Sequence, residues 1–177
     1  MKKYELTAEF IEQWGKKLFR IKALISFGSV EAGELGGYVE KEDNLAQDGD
    51  AWVCDDAWVY GNARVCGNAR VCGNAWVYGN ARVCGDAEVY GNADYLLIGR
   101  IGSRFSFTTF FKNKDKGITV SCGCFLGTIA EFRAKVSDTH GNNKHAKIYN
   151  LAADMAELQI LGEEYFDKLN TNKSEPF

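Results

Sequence analysis

Eight consecutive six-residue units between Gly49 and Leu96 constrain the fold of this chain more than any other feature. They read GDAWVC, DDAWVY, GNARVC, GNARVC, GNAWVY, GNARVC, GDAEVY and GNADYL. A period of six does not match the 3.6-residue turn of an α-helix, but it does match the alternation of side chains along a strand. Ala and Val at the third and fifth positions then point to one side, and the Gly-Asn or Gly-Asp pair forms a turn, because these residues tolerate a positive φ. Each unit therefore predicts a short strand and a turn, with Ala and Val in the interior.

This pattern resembles the left-handed parallel β-helix of hexapeptide-repeat proteins, in which three units form one triangular coil. The resemblance implies that residues 18 positions apart lie above one another, at the strand spacing of about 4.8 Å. It also implies a homotrimer, because hexapeptide-repeat proteins are usually trimers packed side by side. Pentapeptide-repeat helices are excluded, since their period is five.

One face of the predicted helix carries large aromatic side chains. Trp58 would lie over Trp76, with Asp94 continuing that column, and Tyr60 would lie over Tyr78. We expect a contiguous aromatic patch of this size to be buried against other protein or to bind a ligand. We interpret Trp58, Tyr60, Trp76 and Tyr78 as the interface of the homotrimer. Coverage by the C-terminal segment and a platform for a flat ligand are the alternatives.

Different patterns flank the repeats. Residues 1–48 predict an N-terminal cap, with a strand at 18–24 and an irregular first coil at 35–40. Residues 49–96 form the repeat unit, and residues 97–177 form a C-terminal extension. The predicted fold class is mainly β, a left-handed parallel β-helix of hexapeptide repeats with a small C-terminal ββαα extension.

The extension predicts a hairpin followed by two helices. Its strands are expected at 104–111 and at 118–125, where aromatic and β-branched residues are frequent. Thr128 and Glu131 have the spacing of a capping box at the start of the first helix, and Gly141 ends it. The second helix, over 144–161, places an apolar stripe on one side, formed by Ile148, Leu151, Met155 and Leu158.

Charge and composition exclude several classes of function. The net charge of −3 argues against sequence-independent nucleic-acid binding, which needs a basic surface. Residues 31–60 hold nine acidic side chains and one basic one, a distribution that fits a solvated surface, a basic partner or an imitation of nucleic acid. No apolar stretch reaches the roughly 20 residues that span a bilayer, and no signal peptide is evident. We therefore expect a cytoplasmic protein, in the host cytoplasm if it is phage-encoded, with its six cysteines reduced.

The sequence lacks the residues that the enzymes of this fold use. Hexapeptide-repeat acyltransferases place a catalytic His in a loop off the helix, whereas these repeats contain no His and no interrupting loop. His140 and His145 lie at the junction of the two predicted helices, where a His is favourable as a helix cap. Cys122-Gly123-Cys124 lacks the second ligand pair that a zinc site needs. We predict no catalytic residue, no metal site and no cofactor.

Polar residues of the C-terminal extension are the best candidates for a ligand site. Cations and hydroxyl donors are combined there, as in sites for phosphate or carboxylate. A helix start, which also favours anions, follows directly. The alternative is an amphipathic hairpin with one wet face. The candidate ligand-binding residues are Arg100, Ser103, Arg104, Thr108, Thr109, Cys122, Cys124, Phe125 and Thr128.

Five sequence phrases occur together in this chain: RIKAL at 20–24, LGGYVE at 35–40, the GNARV repeats, TTFF at 108–111 and SCGCFLGT at 121–128. Their combination resembles small hexapeptide-repeat proteins of bacteriophages and of prophages in Gram-positive bacteria. The resemblance implies an accessory protein that binds or sequesters something of the host, including the nucleotide signals of anti-phage defence. We therefore expect a non-enzymatic binding protein for a small anionic, nucleotide-like ligand or for a host protein. An acyltransferase of the hexapeptide-repeat class and a self-assembling structural element are the alternatives.

Overall fold

The computed structural model describes residues 2–162, which divide after Asn92 into two compact units. The first unit begins with three strands, β1 at Tyr4–Gln13, β2 at Lys16–Ala23 and β3 at Leu35–Val39. The strands β1, β2 and β3 pair antiparallel in that order. The sequence predicted the second of these strands near 18–24, but it did not reveal β1, whose exposed positions interrupt the alternating pattern.

The six-residue units each contribute a strand of two residues. These strands, β4 to β10, lie at Trp52–Val53, Trp58–Val59, Arg64–Val65, Arg70–Val71, Trp76–Val77, Arg82–Val83 and Glu88–Val89. They pair in parallel with partners 18 residues away, in the orders β4-β7-β10, β5-β8 and β6-β9. The strand β3 pairs with β5 and so joins the N-terminal hairpin to one of these stacks. The predicted 18-residue register is confirmed for these strands.

The interior of the first unit is made of the small and branched residues of the repeat. Val53, Val59, Val65, Val71 and the later valines of the repeat are fully buried, as are the alanines beside them. The turn glycines lie close together from layer to layer: a Cβ on Gly49 would lie 2.5 Å from the carbonyl oxygen of Gly67. Stacking of the repeats therefore requires glycine at this turn, both for its φ of +69° and for the missing side chain.

A buried asparagine hydrogen-bonds the backbone at the start of the repeats. A short 3₁₀ helix at Glu42–Asn44 places Asn44 in the interior. The amide nitrogen of Lys41 donates to Asn44 Oδ1 at 3.0 Å, and Asn44 Nδ2 donates to the carbonyl oxygens of Gly61 at 3.2 Å and Ala63 at 2.8 Å. These bonds satisfy backbone groups that the first layer of strands would otherwise leave unpaired.

The second unit is an antiparallel sheet with two helices. Its strands are β11 at Tyr95–Ile101, β12 at Ser106–Lys112, β13 at Ile118–Cys122 and β14 at Phe125–Thr128, in that order across the sheet. The helices are α1 at Ile129–His140 and α2 at Lys144–Leu161. A core of Phe110, Val120, Phe132 and Tyr149, with the alanines of α2, holds the helices on the sheet.

The predicted fold class is wrong. The chain is not a mainly β left-handed β-helix with a ββαα extension, because its strands form four separate sheets of five, three, four and two strands. No closed sheet forms among the described residues, and the second unit mixes α-helix with antiparallel sheet. The extension also has two strands more than predicted. The eighth hexad leaves the repeat: Asp94 ends a 3₁₀ helix at Asn92–Asp94 instead of pairing beneath Trp76, and Tyr95 and Leu96 begin β11.

Both helices have the predicted bounds. The amide of Glu131 donates to the Thr128 hydroxyl at 3.2 Å, and the amide of Thr128 donates to the Glu131 carboxylate at 2.8 Å, which confirms the capping box. The hydrogen bonds that the amide and the hydroxyl of Thr128 donate to the Glu131 carboxylate hold the pKa of Glu131 below its ordinary value. The apolar stripe of α2 does not face the sheet, since Leu151 is 65% and Met155 is 55% exposed. Instead α2 packs with its small residues, Ala152, Ala153 and Ala156, around Tyr149.

Neither helix has both the length and the apolar character needed to cross a membrane, within residues 2–162.

Candidate functional site

A pocket of about 210 Å³ opens in the second unit, between two hairpin turns and the helix α1. The β11–β12 turn contributes Ser103 and Arg104, and the β13–β14 turn contributes Gly123 and Cys124. The remaining lining residues are Ser106, Cys122, Phe125, Phe132, Lys135, Val136, Thr139, His140 and Tyr149. Five elements of one unit therefore converge on this cavity.

The pocket has a basic rim. Arg104, Lys135 and His140 line it, and none of the thirteen lining residues in the described part of the chain is a carboxylic acid. The Arg104 guanidinium lies above the β13–β14 turn, where a Cβ added to Gly123 would be 3.6 Å from Arg104 Nη1. Gly123 also has a φ of +61°, so the tight turn and the space below the guanidinium both favour glycine. This rim can hold an anionic group.

Hydroxyl and thiol groups form the polar part of the wall. Thr108 is buried in β12, and its hydroxyl donates to Cys122 Sγ at 3.2 Å. Tyr149 lines the same part of the wall from α2. Burial and the neighbouring Cys122 raise the pKa of Tyr149 above its ordinary value, while the charge of Arg104 acts in the opposite direction. The Tyr149 hydroxyl lies against Gly102, where any Cβ would overlap it.

Two histidines and Tyr149 form an aromatic cluster at the end of α1. The ring of His140 lies 5.8 Å from that of Tyr149 in a stacked arrangement, and 5.7 Å from the ring of His145. His145 Nδ1 is buried and has no hydrogen-bond partner within residues 2–162. His140 is thus a wall of the pocket as well as a residue of the last helical turn.

The sequence predicted the residues on one side of this pocket. Of the predicted ligand-binding residues, the ones that line it are Ser103, Arg104, Cys122, Cys124 and Phe125. Arg100 lies outside it, Thr108 and Thr109 are buried in the sheet, and Thr128 caps α1. Cys124 lies in the β13–β14 turn and not in the strand that the sequence predicted over 118–125.

The sequence missed the helical side of the pocket. Phe132, Val136 and His140 recur every four residues along α1, and Lys135 and Thr139 flank them with the same spacing. That periodicity places all five on adjoining positions of one helix face. The four-residue spacing in the sequence indicates that these residues share a helix face, but it does not indicate which hairpin that face covers.

The aromatic surface of the first unit is a separate feature. The rings of Trp58 and Trp76 are parallel with centroids 4.8 Å apart, and those of Tyr60 and Tyr78 are 5.4 Å apart. The sequence did not include Trp14, which lies at the β1–β2 turn with its ring 5.4 Å from that of Trp76. The N-terminal hairpin therefore covers part of this surface, a cover that the sequence interpretation did not consider.

Four of the six cysteines are paired. Disulfides join Cys54 to Cys72 and Cys66 to Cys84, each across a Cα–Cα distance of 4.6 Å. The expectation of six reduced thiols is therefore wrong for these four, because the 18-residue register brings each pair into direct contact. Disulfides persist in oxidising compartments. The cytoplasmic location remains a prediction, and these bonds weigh against it.

One of these pairs has an acidic neighbour. Asp55 lies beside the Cys54–Cys72 bond, with potential ligand atoms of the three residues within 4.8 Å. The Asp55 carboxylate also accepts a hydrogen bond from the amide of Gly73 at 2.9 Å. Metal binding through sulfur uses thiolates, so the disulfide would first have to be reduced.

Comparison with known proteins supports the repeat. The sequence model described as the YdcK beta solenoid repeat matches residues 57–73 and 63–79, two overlapping segments within the six-residue units. The match supports a β-solenoid type of repeat in this part of the chain. A comparison with curated proteins found no significant match.

Proposed function

We propose that this protein binds a small anionic ligand in the pocket of its second unit and does not act as an enzyme. The basic rim formed by Arg104, Lys135 and His140, without a carboxylate in the lining, is the observation that supports this proposal. Hydroxyl groups of Ser103, Ser106 and Thr139 add donors for phosphate or carboxylate oxygens.

The size and walls of the pocket suggest the kind of ligand. Its volume of about 210 Å³ is below the range of about 300–1,000 Å³ that is usual for ligands of drug size. Phe125 and Phe132 supply an apolar wall suited to a flat ring. A phosphate or carboxylate beside one ring fits these features, and the rest of a nucleotide would extend past the exposed Arg104 and Lys135. Sequestration of a host nucleotide signal is the proposed role, in line with the resemblance to phage accessory proteins.

A larger concavity in the first unit is less suited to an anion. Its volume is about 660 Å³, and its lining includes three acids, Glu42, Asp43 and Asp48, beside Lys41 and Arg64. Repulsion from three carboxylates disfavours a phosphate there. A basic segment of a host protein is the partner that this concavity would suit.

Calorimetric titration tests the proposed ligand class. The probes are inorganic phosphate, nucleoside monophosphates and cyclic nucleotides. Arg104→Gln is expected to weaken binding about tenfold or more, as for loss of a charge-assisted hydrogen bond. Arg100→Gln is the matched control, since it removes the same charge outside the pocket. Equal effects of the two substitutions, or no binding across the panel, would contradict the proposal.

We also propose that the chain forms a homotrimer through its aromatic surface. Tyr78 and Trp14 remain 48% and 62% exposed on this surface, which favours burial by a second copy. Light scattering should give about three times the chain mass of 19.7 kDa, and a monomer would refute the trimer. An acyltransferase and a structural element remain alternatives; acetyl-coenzyme A binding that His140→Ala removes would favour the first.

A further inference from the structure

The sulfur of Cys122 is held in position at the wall of the pocket. The Thr108 hydroxyl, on a residue only 1% exposed, donates to this sulfur at 3.2 Å. Cys122 itself is half-buried and in the free-thiol state. The Thr108 hydroxyl thus restricts the side chain of Cys122, and this residue lines the cavity.

The basic rim of the same pocket would draw an anion towards this sulfur. Cys122 precedes Gly123, the residue above which the Arg104 guanidinium lies. A small acid bound to that guanidinium would be close to the thiol. Holding two reactants together replaces a slow bimolecular encounter, which accelerates bond formation.

We propose that Cys122 is a nucleophile that captures small acids bearing an electrophilic carbon. This inference rests on the proposed function, because the same cations would draw the acid into the pocket. With a halo-acid, the thiol gives its proton to the buffer and its sulfur attacks the carbon. A C–S bond forms, the carbon–halogen bond breaks, and the electron pair leaves with the halide. No group is oxidised or reduced.

Iodoacetate and iodoacetamide, an acid and its neutral analogue, test the proposal on the full chain. The rate of alkylation at each cysteine is followed by peptide mass spectrometry without reductant, so that the two disulfides stay closed. Relative to 2-mercaptoethanol, Cys122 should favour iodoacetate over iodoacetamide by about tenfold, the effect of one charge-assisted contact. If Cys122 and 2-mercaptoethanol show the same preference between iodoacetate and iodoacetamide, the proposal is overturned.

Variants of Arg104 and Thr108 show which residue causes the preference of Cys122 for iodoacetate and which one causes its reactivity. Arg104→Gln should abolish the preference for iodoacetate, whereas Arg100→Gln should keep it. Thr108→Val should slow Cys122 several-fold with both reagents and leave Cys124 unchanged, and Thr108→Ser should restore the rate. If Thr108→Val does not fold, the comparison of the two arginine variants, both on exposed residues, decides the question.

The two proposals can fail separately. Phosphate binding that depends on Arg104, together with unselective alkylation of Cys122, would overturn this inference and leave the proposed function. Selective alkylation without binding of any phosphate probe would support Cys122 as the nucleophile and remove the nucleotide-like ligand.

Discussion

Trp14 provides the sharpest test of how the aromatic surface is stabilised. It occupies the two-residue β1–β2 turn with Gly15, and both residues have a positive φ, +50° and +73°. Its ring contacts the stacked pair Trp58 and Trp76, at 6.1 and 5.4 Å, and Tyr60 at 6.0 Å. A bulky residue is disfavoured at positive φ, so the packing of this ring has to offset a backbone cost.

Replacement of Trp14 by Ala removes the ring contacts and keeps the backbone cost. Trp14 is 62% exposed, so a little over a third of its surface is buried. A tryptophan can bury about 250 Å², which makes the buried part about 95 Å². At about 25 cal/mol per Å², Trp14→Ala should lower the free energy of unfolding by about 2 kcal/mol.

Replacement of Trp14 by Asn separates the two contributions. Asn tolerates a positive φ and is favoured before Gly in this kind of hairpin turn. Asn should therefore recover about 1 kcal/mol of the free energy of unfolding that Trp14→Ala loses. We therefore expect Trp14→Asn to be about 1 kcal/mol less stable than the native chain, and more stable than Trp14→Ala. The difference between the variants measures the backbone cost.

Urea denaturation followed by far-ultraviolet circular dichroism suits this comparison, because it does not depend on the fluorescence of the replaced tryptophan. Near-equal stability of Trp14→Ala and the native chain would refute the packing argument. Light scattering on the same samples separates loss of folding from loss of self-association. A variant that folds normally but loses the trimer would assign Trp14 to the subunit contact instead.

Three further predictions concern other parts of the chain. The Arg133 guanidinium lies 2.7 Å from the carboxylates of Asp154 and of the buried Glu157. Arg133→Met should therefore lower the free energy of unfolding by about 3 kcal/mol, because it leaves the charge of Glu157 unpaired. In urea denaturation, Glu157→Gln in the same background should recover part of this loss. Burial raises the pKa of Glu40, but hydrogen bonds from Lys16 at 2.5 Å and from the Gly61 amide at 2.6 Å outweigh it and lower the pKa overall. The unfolded chain then binds the proton more readily, so stability should fall as the pH drops below the ordinary value of 4.5, and Glu40→Gln should flatten this dependence while costing about 1 kcal/mol at neutral pH. Thiol titration in denaturant without reductant should find two thiols per chain, and six would contradict the disulfides.

The candidate site was only partly predictable from the sequence. Arg104, Cys122 and Phe125 were found because cations and hydroxyl donors are combined in the predicted hairpin, directly before the start of a helix. Lys135 and His140 were missed, since a helix pattern shows which residues share a face but not what that face covers. The stripe that includes Leu151 and Met155 shows the same limitation: its periodicity is correct, yet the alanines of α2 pack against the sheet.

The sequence alone determined the six-residue spacing of the short strands, the Ala and Val interior and the bounds of both helices, whereas the 18-residue register was implied by the resemblance to hexapeptide-repeat proteins. These properties follow from local periodicity and capping, which depend on residues a few positions apart. Only the tertiary structure decided the separate sheets, the placement of Trp14 on Trp76 and the meeting of α1 with the Cys122 turn. Those features come from pairings and packing between distant segments, and many arrangements of the same local elements would satisfy the sequence pattern equally well.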